Sequence, residues 1–436
     1  MDGVMGGTKT PAEASTAQTK HGIQELVSRA IKNDVSVIHI EPMSNVVVVR
    51  FRRGGMLYQA TTLPKPTATL LAKHFKQLAQ LDVNQTQAPQ SGQYLQRCGR
   101  KTYVIQVSTL PVIDGEKLTL SLTGTSMASE NLQALGLWGK SLSLTQQTLT
   151  QPSGLIMIAG QRQTESAMVQ TTMLQLLAQA SLAVAYVGDG QEPAMTGVKT
   201  VKIHPDAGWG YSRYAQILAK QGFGIIGLNA IIDRRTAQAA IKIADNGSLI
   251  MAAVPAGTAV KGLLYIYQAT HLLSSLVLTR SVIGNVFVRS LCPRCREVYW
   301  LTAEEKHSLQ AIFNIEAKLI NQQLIDLEKQ ARDANLAPEN ELNLTSEGVK
   351  KLWRAHPLGC KYCDNTGFGP RIGLFEVCLP TNPLLSAMSS HKSLTELQNV
   401  AIKEGMISLK IDGLIKTLRG VIDYNTLIKV CEDYNR

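Results

Sequence analysis

The pattern of apolar and polar positions divides the chain into two differently built parts. In the first third, alternating stretches predict strands and 3.6-residue spacing predicts helices, which together indicate a small α+β domain. The predicted helices are Gly22–Ile31 and Ala68–Leu81, and the predicted strands are Val35–Ile40, Val46–Phe51, Gln93–Gln106 and Lys117–Leu122.

The second part carries short, uninterrupted apolar runs that alternate with helical sequence. Runs of this kind are typical of strands buried on both faces, and the alternation predicts a doubly wound, mostly parallel sheet. The four runs are Leu155–Ala159, Ala183–Val187, Gly224–Leu228 and Ser248–Val254. A helix is expected over Glu165–Ala180 and a longer helical stretch over Thr302–Ala331. Further helices are expected over Ser393–Tyr434.

These patterns predict an α/β protein with six segments. They are a disordered tail (1–20), an N-terminal α+β domain (21–125), a linker with short helices (126–150), a parallel-sheet domain (151–290), a cysteine-containing region (291–375) and C-terminal helices (376–436).

The net charge and the length of the apolar runs limit which partners and which cellular location the chain can have. The 436 residues carry a formal charge of +11, and residues 21–150 hold 13 Lys and Arg against 7 Asp and Glu, a local excess of 6. Such a surface is compatible with nucleic acid, anionic lipid, an acidic protein or solvent alone. No apolar run reaches the roughly 18–20 residues of a membrane span. The N-terminus shows no signal-peptide pattern, so a cytoplasmic location is expected.

Four of the seven cysteines form two C-x-x-C pairs, Cys292 with Cys295 and Cys360 with Cys363. Four thiolates make a closed tetrahedral site for structural zinc, and we expect one zinc per chain. Free or redox-active thiols are the alternative. Cys98, Cys378 and Cys431 are expected to be single buried thiols.

An ordered set of phrases resembles the type II secretion and type IV pilus assembly ATPases. They are Ile38–Pro42, Val49–Gly55, Val107–Pro111 with Gly115-Glu116, Leu291–Cys295, and Gly359–Cys363 with Thr366–Phe368. The resemblance extends from about residue 22 to the end. It implies a PAS-like N-terminal domain, a RecA-like ATPase domain with a zinc region, and a hexameric ring.

The phosphate-binding loop of such an enzyme should follow Leu155–Ala159. A working loop needs a second glycine, a lysine for phosphate charge and a hydroxyl residue for Mg²⁺. Gly160 stands at the first glycine, and Gln163 lies within the loop. Glu165, Ser166 and Ala167 stand where the second glycine, the lysine and the hydroxyl residue are expected. The preferred interpretation of the segment is an ordinary capped strand-to-helix turn.

The other positions implied by the resemblance are altered in the same way. Asp189 remains after Gly188, which stands at an acidic position, and Ala230 aligns with the glutamate that activates water. Two histidine positions hold Ser248 and Pro255. Of the arginines that cover the nucleotide, the two that remain are Arg50 and Arg52, whereas Gln93 and Gln106 stand at two others.

The sequence therefore predicts a non-catalytic pseudo-ATPase subunit in a pilus or secretion motor. The expected partners are an active homologous ATPase or an inner-membrane platform protein, in a ring at the inner face of the membrane. No specific nucleic acid is expected. Two alternatives stay open: an atypical assembly ATPase that binds ATP weakly, and a module that binds polyanions or the platform.

Overall fold

The computed structural model divides the chain into two compact units, residues 1–127 and 128–436. It describes residues 25–33, 35–53, 56–98, 101–124, 131–180, 182–190, 192, 195–313, 317–333, 349, 351–363 and 365–434. The predicted tail, residues 1–20, lies outside the described residues. The finer domain boundaries stay predictions.

Among its described residues, the first unit has an antiparallel sheet of six strands, helical residues 25–32 before the sheet, and the helix α1, Thr67–Leu78. In space the strands follow the order β3-β2-β1-β6-β5-β4. Apolar side chains of β1, β2, β5, β6 and α1 form its core. The strands are β1 Val37–Pro42, β2 Val46–Arg53, β3 Met56–Pro64, β4 Gln90–Cys98, β5 Lys101–Val112 and β6 Gly115–Gly124.

Two sequence expectations for this unit are corrected. The predicted strand Gln93–Gln106 is two antiparallel strands, in which Gln93 and Gln106 face each other. The strand β3 was not predicted at all. Both errors involve edge strands. The residues of β4, and those of β3 from Leu57 on, are exposed or half-exposed, and neither strand gives a clear apolar run.

The second unit is built on a seven-stranded sheet ordered β15-β12-β7-β11-β10-β8-β9. All neighbouring strands are parallel except β15, which pairs antiparallel with β12 at one edge. A separate two-stranded ribbon joins β13 to β14. The strands are β7 Gly154–Ala159, β8 Val184–Gly188, β9 Val198–Lys202, β10 Ile225–Leu228, β11 Leu249–Val254, β12 Thr279–Leu291, β13 Glu297–Trp300, β14 Lys351–Arg354 and β15 Phe368–Cys378.

The helices of the second unit follow or precede these strands. They are α2 Leu132–Leu135, α3 Gly139–Leu149, α4 Gln163–Gln179, α5 Tyr211–Lys220, α6 Arg234–Asp245, α7 Ala259–Thr270, α8 Leu273–Leu278, α9 Ala303–Phe313, α10 Ala317–Asp333, α11 Asn382–Ser389, α12 Leu394–Lys403, α13 Leu409–Leu418 and α14 Tyr424–Tyr434. None of the helices among the described residues is long and apolar enough to cross a membrane.

The four apolar runs that the sequence marked as buried strands are β7, β8, β10 and β11. Every residue of these strands is buried, which explains why they read as uninterrupted apolar runs. They are neighbours in the sheet and run in one direction, so their carboxyl ends lie along one edge. The predicted α/β class with a parallel sheet is confirmed.

Candidate functional site

The carboxyl edge of the parallel sheet gathers most of the residues that the sequence marked. Gly160 follows β7, Asp189 follows β8, Ala230 lies two residues beyond β10, and Pro255 follows β11. In open parallel sheets, ligands bind outside this edge. The edge is therefore the place where a nucleotide site is to be sought.

Ser248 is not brought to this edge. It precedes β11, whereas Pro255 follows it, so the strand separates them by about 20 Å at roughly 3.3 Å per residue. The two positions that the resemblance paired as a histidine box therefore lie at opposite ends of one strand, and only Pro255 borders the candidate site.

The turn after β7 is short, because α4 begins at Gln163, two residues before the expected start at Glu165. The backbone N–H groups of Glu165 and Ser166 donate to the carbonyl oxygen of Arg162 at 3.0 and 3.2 Å. In a phosphate-binding loop, backbone N–H groups of this segment point at the ligand. In this chain these two N–H groups close the first turn of the helix instead.

The Glu165 side chain is buried and faces the β12–β15 ladder. Its Oε1 accepts from Arg371 Nη2 at 2.6 Å and its Oε2 accepts from the backbone N–H of Phe287 at 3.2 Å. Arg162 lies 3.4 Å from the same carboxylate. Sequence reasoning missed Arg371, which is 206 residues away along the chain and is preceded by no pattern that links it to Glu165.

Ser166 is buried beneath the turn instead of facing outward. Asn285 of β12 donates from its Nδ2 to Ala159 O at 3.1 Å and to Ser166 Oγ at 3.4 Å. A Cβ on Gly160 would lie 2.3 Å from Ser166 Oγ and 3.1 Å from Asn285 Oδ1, so a larger residue at position 160 would force the Ser166 side chain to move. Ala167 follows on α4 and is half-buried.

At the end of β8, a carboxylate reaches the expected acidic position from another residue. Glu192 accepts from the backbone N–H groups of Asp189 and Gly190 at 3.1 and 3.0 Å. A Cβ on Gly188 would lie 2.2 Å from Glu192 Oε1, so the carboxylate occupies that side-chain space. Burial raises the pKa of Glu192, although its backbone hydrogen bonds act against the rise. Sequence reasoning missed Glu192.

The position of the expected general base holds only a methyl group. Ala230 is buried, and the next residue, Ile231, donates its N–H to Ala253 O and accepts from the Tyr265 hydroxyl at 2.8 Å. Asp233 caps α6 by accepting from the N–H of Thr236 at 2.7 Å. The loop beyond β10 is thus fixed by structural hydrogen bonds.

The two retained arginines belong to β2 of the first unit. Arg50 pairs with Glu41 of β1, and Lys117 of β6 lies 2.6 Å from the other oxygen of that carboxylate. Arg52 is exposed, and its carbonyl oxygen accepts from the backbone N–H of Ser36 at 2.9 Å. Arg50 therefore has a partner within its own sheet.

The four cysteines of the C-x-x-C pairs meet in space. Their sulfurs all lie within 4.8 Å of one another. Cys292 is 3.9 Å from Cys360, and Cys363 is 3.8 Å from both Cys295 and Cys360. Four sulfurs around a zinc at about 2.3 Å stand about 3.8 Å apart, so the cluster has the size of a tetrahedral metal site.

Backbone N–H donors favour the thiolate form of one of these sulfurs, which is the form that binds a cation. The N–H groups of Cys360 and Gly367 each lie 3.2 Å from Cys363 Sγ. Burial raises the pKa of Cys363, but these donors, together with hydrogen bonds from the thiols of Cys295 and Cys360, outweigh it and lower the pKa to about 6. A thiolate is the form that binds metal. Cys378 and Cys431, both expected to be single buried thiols, are buried, whereas Cys98 is half-buried.

Comparison with known proteins gives relatives that match nearly the whole of this chain and are themselves longer. The chain is 26% identical to the type IV pilus assembly ATPase PilB of Pseudomonas aeruginosa over 427 residues, which cover 97% of this chain and 69% of that protein. It is 24% identical to the type II secretion system protein E of Aeromonas hydrophila over 414 residues, 94% of this chain and 75% of that protein.

Solved structures share the fold at low sequence identity. The ATPase DotB of Legionella pneumophila superposes with a TM-score of 0.59 and 11% identity, covering 95% of this chain and 96% of that one. The pilus retraction motor PilT with bound ADP gives 0.54 and 12%, covering 94% and 96%. The predicted RecA-like fold is confirmed. The model of the type II/IV secretion system protein family matches residues 12–429, and the chain belongs to this family.

Proposed function

We propose that this chain is a non-hydrolysing member of its family, a pseudo-ATPase subunit of a pilus or secretion assembly motor. The observation that carries the proposal is the turn after β7. Its N–H groups at Glu165 and Ser166 bond to Arg162 O, and the Glu165 carboxylate is buried there by Arg371.

The residues around this turn support the same conclusion. Hydrolysis needs cationic and metal-binding groups at the phosphates and a base that orients water. Ser166 is buried against Asn285, Ala167 carries no hydroxyl, and Ala230 offers a methyl group. Loss of a general base alone removes about 10²–10⁴-fold in rate. At these three positions the chain offers neither a cation or hydroxyl group placed for the phosphates nor a base placed for water.

The four cysteines are proposed to hold one structural zinc ion. Cys292, Cys295, Cys360 and Cys363 fit a tetrahedral site in number, residue type and spacing. A bound zinc ion supplies folding free energy here and no chemistry. It closes the base of the long segment that joins β12 to β15.

The fold is proposed to serve as a surface within a larger assembly. A subunit without hydrolysis gains nothing from a ring of itself alone, so we infer a mixed ring with an active homologous ATPase, docking on the inner-membrane platform protein, or both. The chain would then be cytoplasmic and peripheral to the membrane. The relatives named for pilus assembly and type II secretion support this class of machine.

Nucleotide binding and turnover test the central claim. Calorimetry with Mg-ATP should give no affinity in the micromolar range, and purified protein should release no phosphate. Micromolar binding would contradict the first half. Turnover that disappears on replacing Asp189 or Asp233 with asparagine would contradict the second half.

Two other functions would be seen in the same preparations. An atypical, weakly active assembly ATPase would show slow turnover that depends on Asp189 or Asp233. A polyanion-binding module would bind RNA or anionic vesicles with affinity that falls steeply as salt is raised. The excess of 6 positive charges in residues 21–150 is the observation that supports the polyanion-binding alternative.

A further inference from the structure

We propose that Glu165 and Arg371 form a clasp that keeps the turn after β7 closed. The inference rests on the proposed function and goes beyond it: the loop would be shut by its conformation, not only by the absence of a lysine and a hydroxyl residue. Arg371 is then a positioning residue, because it acts on the loop through Glu165.

The clasp is a closed set of three hydrogen bonds between distant parts of the chain. Arg371 Nη2 donates to Glu165 Oε1 at 2.6 Å and to Phe287 O at 2.5 Å. The N–H of Phe287 donates back to Glu165 Oε2 at 3.2 Å. The carboxylate thus bonds to a side chain of β15 and to the backbone of β12 at once.

Burial makes these contacts strong. The side chains of Glu165 and Arg371 are 8% and 31% exposed, and charged pairs shielded from water interact more strongly than surface pairs. The N–H of Phe287 is buried with the carboxylate. Removal of the carboxylate would leave both a guanidinium and a backbone N–H without this acceptor, so the clasped state is favoured.

The clasp fixes the backbone on which a phosphate loop depends. Glu165 lies in the first turn of α4, so holding its side chain against β12 holds that turn helical. In the helical turn, the N–H groups of Glu165 and Ser166 donate to Arg162 O at 3.0 and 3.2 Å. They are therefore turned away from any ligand as long as the clasp is made.

A second contact supports the turn from below. Asn285 of β12 bonds both Ala159 O and Ser166 Oγ, so the residue at the lysine position is drawn under the turn. A lysine at position 166 alone would meet the same closed backbone. Restoring the two missing residues should therefore not restore nucleotide binding while Glu165 is present.

Hydrogen exchange tests the clasp without any ligand. In E165Q and in R371M, the amides of Glu165 or its replacement and of Ser166 should exchange at least about tenfold faster, equivalent to about 1.4 kcal/mol. E404Q, which changes an exposed glutamate at the end of α12, should leave these amides unchanged. The double variant E165Q/R371M should add little, because each change breaks the same contact.

Nucleotide binding gives the second readout, with fluorescent Mg-ATP as the probe. S166K/A167T should bind at least about tenfold more weakly than E165G/S166K/A167T. T164G/S166K/A167T is the matched control, because it adds a glycine to the same turn at an exposed position and leaves the clasp intact. This control should bind Mg-ATP as weakly as S166K/A167T does.

Two results would overturn the inference. One is unchanged amide exchange in both E165Q and R371M. The other is equal nucleotide binding by S166K/A167T and E165G/S166K/A167T. Neither result touches the proposed function, whose failure would be seen separately, as Mg-ATP binding or turnover by the unaltered chain.

Discussion

At the residue scale, the carboxylate of Glu376 accepts hydrogen bonds from three helices. It is fully buried and accepts from the N–H of Ala259 at the start of α7, the N–H of Leu409 at the start of α13, and the Tyr434 hydroxyl. The distances are 2.6, 3.1 and 3.1 Å. One side chain thus satisfies two helix N-termini, whose N–H groups have no partner within the helix.

The protonation of Glu376 should make stability depend on pH. Burial raises its pKa above the ordinary 4.5 and outweighs the three donors. Between 4.5 and the raised value, the folded chain binds more protons than the unfolded chain. Stability is therefore greatest below the ordinary pKa and is lost as pH rises through the folded one.

The replacement E376Q isolates this effect. It removes the titration and puts an amide against donors, so the free energy of unfolding should fall by about 1–3 kcal/mol. The difference between the unaltered chain and E376Q should shrink as pH rises above the ordinary 4.5 in urea unfolding. A difference that grows with pH would contradict the assigned direction of the shift. Burial also raises the pKa values of the neighbours Tyr434 and Cys378, so neither titrates near neutral pH.

At the element scale, the sequence predicted the strands whose residues are all buried and missed several whose place depends on contacts with distant parts of the chain. The strands β7, β8, β10 and β11 were found because every residue in them is buried. The edge strand β9 was missed, because its residues are exposed or half-exposed and include lysines. The long strands β12 and β15 were missed as well, although they carry the clasp and flank the cysteines.

The candidate site shows the same division. The resemblance placed Gly160 and Ala230, and the local C-x-x-C spacing was enough to pair the four cysteines. The partners Arg371 and Asn285 could not be predicted, because they reach α4 from 206 and 119 residues away. Only the pairing of β12 with both β7 and β15 brings them there.

Loss of one cysteine of the cluster should cost both metal and stability. In C360S, zinc content should fall from one ion per chain towards none, and the free energy of unfolding should fall by several kcal/mol, since structural metal binding contributes to folding. Metal analysis and urea unfolding are the measurements. C98S, which changes a half-buried cysteine in the other unit, is the matched control. Unaltered protein without stoichiometric zinc, prepared without chelator, would end the assignment.

At the scale of the whole molecule, the chain should associate with other components of its machine. Co-expression with an intact homologous ATPase and with the platform protein should yield a complex that weakens with salt, because the formal charge of +11 favours acidic partners. Co-purification at low and high salt is the measurement. If the chain purifies with neither component, and its deletion leaves pilus assembly and secretion unchanged, the motor-subunit proposal fails.

The position of the cysteines also has a consequence for how this chain can change. Leu291 of β12 and Phe368 of β15 are paired across the ladder, and the first and last cysteines lie one and five residues beyond them. The segment between the cysteine pairs therefore leaves the sheet and returns to it at nearly the same place. Buried Leu324 and Leu352 of this segment pack with Leu414 and Leu418 of α13, and Glu328 pairs with Arg419. A metal ion at the cysteines would hold the two ends of the segment, so insertions and deletions should be tolerated only in the parts of it that make none of these contacts.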